Sequence, residues 1–143
     1  MTAATVVRYE AEAPEVFELL EGVEDAISTL DLDPGLHHLV KLRASQMNRC
    51  TYCVKMHTTE ARRDGETNER LDWLVVWPHV SDFTAAEKAA LAWTEALTNL
   101  HEGTDYRALR EALRQHFSDR QISALTSAIA MINLWNRFQV SRH

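Results

Sequence analysis

Two cysteines and a histidine carry the chemistry this chain can offer: Cys50-Thr51-Tyr52-Cys53, with His57 four residues after the second cysteine. Cysteines three residues apart on a helix are surface neighbours, at a Cα separation that a disulfide can span, so the pair suits reversible dithiol–disulfide chemistry. The helical pattern opens at about Thr51, which puts the pair in a first turn. There the free backbone N–H groups and the positive end of the helix dipole favour the reactive thiolate. His57 lies one turn beyond Cys53 on the same face and can take the thiol proton directly or through water. Cys50 stands seven residues from His57, roughly 10 Å along a helix axis. The spacing therefore assigns Cys53 as the base-activated nucleophile and Cys50 as the resolving thiol. A peroxide attacked by Cys53 leaves a sulfenic acid, Cys50 condenses with it to a disulfide, and an external dithiol resets the pair.

Other readings of the same residues remain open. Cys53 and His57 can chelate one zinc ion, but Cys50 joins only if it sits off the helix, and His38 has to be the fourth ligand. The cysteines can also pack as small hydrophobes, or serve a thiol–disulfide relay or redox sensor acting on a protein partner. His37 points about 100° away from His38 and reads as a surface histidine. His79, His101 and His116 fall near helix ends, where histidines cap carbonyls or face solvent. Trp73, Trp77, Trp93 and Trp135 lie on apolar stripes as core or interface anchors, one of which can wall the cysteine pocket. Tyr52 can hydrogen-bond a peroxide. Asn133, Asn136 and Arg137 read as polar groups for helix packing, and Ser45 lies within reach of the thiol pocket.

The elements that must position these residues are helices. Only four Gly and three Pro punctuate the 143 residues, and apolar residues recur at intervals of three and four. Pro14 opens a first helix to about residue 30, and Asp33-Pro34 caps a second that ends near Asn48-Arg49. The third runs from Thr51 to Gly65, and Thr67 caps a fourth that Pro78 should end at or before Trp77. Thr84 to Glu87 and Ser118 to Gln121 are capping-box sequences, and Asp105 caps a helix between the two they begin. The expectation is an all-α, single-domain bundle of about seven helices spanning residues 1–143.

Composition excludes several classes. With 45% hydrophobic and 25% charged residues the chain is globular rather than disordered, and its size needs no disulfide staple. Fifteen basic residues against 21 acidic ones, with no long basic run, argue against nucleic acid. No segment approaches the roughly 18 apolar residues of a membrane span, and the first sixteen residues show no signal peptide, which places the protein in the cytoplasm. Cysteines in that reducing compartment are redox-active or metal-binding rather than structural.

These residues resemble the alkylhydroperoxidase AhpD-like branch of the carboxymuconolactone decarboxylase superfamily. The matching pieces are Leu39 to Asn48, Cys50-x-x-Cys53-x-x-x-His57, Ala61-Arg62 and Gly65-Glu66-Thr67. Phe83 to Thr98 and Ile132 to Arg137 match downstream, so the similarity covers roughly residues 36 to 138. The resemblance implies an all-helical fold, trimers or hexamers, and cofactor-free reduction of small alkyl hydroperoxides or hydrogen peroxide, driven by a dithiol or lipoyl-type protein. The superfamily's decarboxylase branch needs no CxxC, so the intact pair argues against it. Where the family pattern places a relay glutamate, twelve residues before the first cysteine, this chain has His38. A histidine passes protons but supplies no fixed negative charge to His57, so the resemblance implies His38 as a relay residue in a weaker peroxidase or one with a shifted pH profile.

Overall fold

The computed structural model describes residues 5–143, so positions 1–4 of the segment expected to lack a signal peptide lie outside the described residues. Eight α-helices follow one another, with no strand among the described residues: α1 (Tyr9–Glu12), α2 (Pro14–Ser28), α3 (Pro34–Met47), α4 (Thr51–Arg63), α5 (Asn68–Trp73), α6 (Ala85–Asn99), α7 (Tyr106–Arg114) and α8 (Asp119–Val140). A 3₁₀ turn, Leu74–His79, joins α5 to the loop before α6. The caps read from the sequence are made: Asp33 accepts the Leu36 N–H at 2.9 Å, Thr67 that of Arg70 at 3.2 Å, and Asp105 that of Ala108 at 3.0 Å. Thr84 with Glu87, and Ser118 with Gln121, form reciprocal capping boxes.

One expectation needs correction. The four-residue α1 adds a helix, because one turn is too short to show a periodic apolar stripe. The helix that Thr67 caps ends at Trp73, within the expected limit of Trp77, and a 3₁₀ piece then runs on to His79. Val76 has already left helical geometry (φ −120°, ψ 24°), so Pro78 sits in the opening of a new short piece, where its missing N–H costs no hydrogen bond.

Helix α3 is the axis of the bundle, packing on α4, α6 and α8. Its Leu39 and Leu42 enter one apolar cluster with Ala61, Leu71, Leu74 and Leu91, while Leu36 and Val40 enter another with Trp93, Leu125 and Ile129. Its buried residues, Leu36, Leu39, Val40, Leu42, Ala44 and Ser45, accordingly spread over more than one face. Ile27, Ala128 and Met131 hold α2 against α8. Arg70 fastens α5 to the start of α6: its guanidinium donates to Glu66 (2.7 Å), to Glu87 of the capping box and to the Asp82 carbonyl (2.6 Å), and lies 4.8 Å over the Phe83 ring.

Three residues, Asn48 to Cys50, connect α3 to α4. Arg49 adopts the left-handed region (φ 54°), and the N–H groups of Arg49 and Cys50 bond back to the carbonyls of Gln46 and Ser45, which is a Schellman closure of α3. An arginine in this conformation costs roughly 1–2 kcal/mol relative to glycine, so other contacts must hold it. They come from α8. The Asn48 amide donates to both Asn133 and Asn136 at 2.9 Å, and Asn136 donates to the buried Ser45 hydroxyl at 3.0 Å. Ser45 thus belongs to this network. Asn136→Ala should lower unfolding free energy by about 2 kcal/mol, since it leaves Asn48 and Ser45 each short of a partner. Chemical denaturation measures this; a loss within about 0.5 kcal/mol, as for a surface substitution, would show that the network is not what holds the turn.

Candidate active site

The turn delivers Cys50 as the residue that both closes α3 and caps α4. Its Sγ accepts the Cys53 N–H at 3.3 Å, so the sulfur occupies the place of a capping oxygen. The two sulfurs are joined in a disulfide with the Cα atoms 5.3 Å apart, and both residues are buried. Cys53 opens on a cavity of about 470 Å³ that also contains His57, with Tyr52 and Trp135 among its walls. Trp135 is therefore the tryptophan that walls the cysteine pocket. Cys50 borders a separate shallow recess with Arg49 and Lys55.

His57 is 5% exposed, and its Nδ1 lies 3.1 Å from a Glu60 carboxylate oxygen. An ionised carboxylate only accepts, so Nδ1 carries the proton and the Nε2 lone pair is free. Burial lowers the imidazole pKa; Glu60 opposes this, and Lys41 and His38 reinforce it through their charges. At neutral pH His57 is thus an uncharged base whose tautomer Glu60 sets. Glu60 was not singled out from the sequence, although an acidic residue three positions after a candidate base is a readable signal.

His38 goes elsewhere. Its Nε2 donates to Asp64 at 2.6 Å, and it lines a different cavity with Arg70 and Glu87. This hydrogen bond is the main cause that holds the Asp64 carboxyl below its ordinary value. Of the four candidate residues, Cys50, Cys53 and His57 come together, whereas His38 touches His57 only as a charge. The zinc arrangement loses its fourth ligand in the same way, and among the described residues no three His, Cys, Asp or Glu side chains converge on a metal-sized site.

His37 is corrected from a surface residue to a half-buried one, with a pKa pushed down to about 4 by burial and by Lys41, His38 and His57. His79, His101 and His116 are exposed, as expected. Trp77 and Trp93 are buried, while Trp73 is 45% exposed.

Two outcomes follow from these charges. Glu60→Gln removes the group that favours the imidazolium, so the acid limb of the pH profile for oxidation of the reduced thiols should move to lower pH, with a slower rate at pH 7. An unmoved profile would disconnect Glu60 from the base. His37 and His57 both have folded pKa values below their ordinary 6.5, so the unfolded chain binds more protons in this range. Stability should be intact above about pH 6.5 and fall progressively toward pH 4, and His37→Asn should flatten that fall in thermal melts at stepped pH.

Comparisons with known proteins place this geometry in a family. The model of the carboxymuconolactone decarboxylase family matches residues 14–96. Uncharacterized protein YdfG of Bacillus subtilis is 33% identical over 135 residues, covering 94% of this chain and 92% of that protein. The crystal structure of ATU0492 from Agrobacterium tumefaciens, a protein of unknown function and candidate antioxidant defence protein AhpD, superposes with a TM-score of 0.89 at 37% identity, covering 97% of this chain and 95% of that one. An uncharacterized peroxidase-related protein with an alkylhydroperoxidase AhpD core, from Ralstonia eutropha JMP134, gives 0.76 at 26% identity, covering 90% and 68%. The chain belongs to the carboxymuconolactone decarboxylase family and has its AhpD-like fold.

Proposed function

We propose that this protein is a thiol-dependent peroxidase that reduces small alkyl hydroperoxides or hydrogen peroxide through the Cys50–Cys53 couple. The observation that carries the reading is the shared cavity of Cys53 and a neutral His57 whose proton is fixed on the Glu60 side. In the reduced protein His57 takes the Cys53 proton, and the thiolate attacks the terminal peroxide oxygen. The O–O bond breaks, Cys53 becomes a sulfenic acid, and the imidazolium returns its proton to the departing alkoxide. The Cys50 thiol then displaces water from the sulfenic acid to form the disulfide. An external dithiol, free or lipoyl-type on a protein, exchanges twice with this disulfide, becoming oxidised as the cysteines are reduced.

In this scheme His38, paired with Asp64, takes no proton from the reacting atoms. It biases His57 toward the neutral form by its charge, and Glu60 supplies the fixed carboxylate that position 38 does not. No described helix is long and apolar enough to cross a membrane, and the chemistry suits the cytoplasm, where dithiol reductants keep the cycle turning. Val16, Leu19 and Val23 form an exposed apolar stripe on α2, which supports assembly into a homo-oligomer, a trimer or hexamer.

Single-cysteine variants test the roles. Cys53→Ser should abolish peroxide consumption, whereas Cys50→Ser should complete one turnover and stall as a sulfenic acid, detected as a dimedone adduct by mass spectrometry. Equal single-turnover rates in the two variants would overturn the assignment.

A further inference from the structure

The Cys53 cavity is electrically uneven. A hydroperoxide that places its terminal oxygen on Cys53 must lay its organic tail in the remaining space, and part of that wall is apolar, made by Met56, Ile132 and Trp135. Four charged side chains also line it: Lys41, Glu60, Glu21 and Glu24. Lys41, half-buried on α3, acts on His57 through its charge, so it belongs to the floor beside the reacting atoms. Glu60 is committed to His57 there. Glu21 is exposed and Glu24 half-buried, and both stand on α2 at the solvent side, where Glu24 accepts the Trp135 indole N–H at 2.7 Å.

Beside the reacting atoms the charges of Lys41 and Glu60 offset one another, whereas the mouth on the α2 side holds two carboxylates along the space left for the tail of the substrate. We propose that this cavity selects hydroperoxides with neutral, apolar tails and turns away those bearing a carboxylate, with Glu21 and Glu24 as the discriminating residues. A tail carboxylate would meet like charge at the mouth within a poorly screened, partly apolar pocket, whereas a neutral aryl or alkyl tail meets Trp135 and Ile132 without penalty. This inference rests on the peroxidase reading and adds the class of substrate to it.

The test compares cumene hydroperoxide carrying a para-carboxylate with its methyl ester, on the reduced protein at low ionic strength. The measured quantity is the second-order rate of thiol loss, divided by the rate of each compound with 2-mercaptoethanol. The ester should react faster by about tenfold, and added salt should shrink that ratio. In Glu21→Gln, and further in Glu21→Gln with Glu24→Gln, the ratio should fall toward one. Glu111→Gln, the same charge change on the distant and exposed face of α7, should leave it unaltered. Equal rates for acid and ester, or a ratio that survives the double variant, would overturn the selectivity while leaving the peroxidase reading intact. No thiol loss with either compound would overturn both.

Discussion

The site depends on one buried set of hydrogen bonds, in which Asn133 and Asn136 of α8 hold Asn48 and Ser45 at the end of α3. Without those amides, the chain would have little reason to keep Arg49 left-handed, and the reversal between α3 and α4 would relax. Because the Schellman closure and the α4 cap share Cys50, the position of the sulfur is set by backbone hydrogen bonds on both sides. The second cysteine follows automatically, since it sits three residues further into a helix whose start has been fixed. Buried amides on a long helix thus fix the turn that carries both cysteines. This also means that the stability of the bundle and the geometry of the thiols are not separable.

The electrostatics around Cys53 are a balance of burial against charge. Burial alone would leave His57 neutral but with no preferred tautomer, and Glu60 resolves this by accepting a hydrogen bond from Nδ1–H while partly restoring basicity. Lys41 works in the opposite direction on His57 and lines the same cavity as Cys53, where the proposed mechanism calls for a thiolate that an ammonium would favour. Helix α2 completes this arrangement. It is fastened by the Ile27 contacts, by the bond from Trp135 to Glu24 and by Phe17, whose ring centroid is 6.0 Å from that of Trp135.

What was legible in the sequence was whatever local spacing controls. The caps at Asp33, Thr67, Thr84, Asp105 and Ser118 are bonds across three residues, so residue type and position suffice to place them. The proximity of Cys53 and His57 is likewise a property of one turn of helix. What was not legible depends on contacts between distant segments. The partner of His38 is Asp64, 26 positions away, and a purely family-based expectation put that ring in the proton relay. Glu21 and Glu24 reach the cavity only because α2 folds over α8, and Trp135 meets Glu24 across 111 positions. The reading of His37 as a surface residue failed for the same reason: helical spacing says which way a side chain points, and only the packing of neighbouring helices says what it meets.

In the proposed function the two cysteines form a peroxide-driven redox couple. The most direct measurement is a count of free thiols in the fully reduced protein before, and shortly after, one equivalent of an alkyl hydroperoxide. Rapid loss of both thiols, with full recovery on adding a dithiol, is the predicted result. Persistence of both thiols would contradict it.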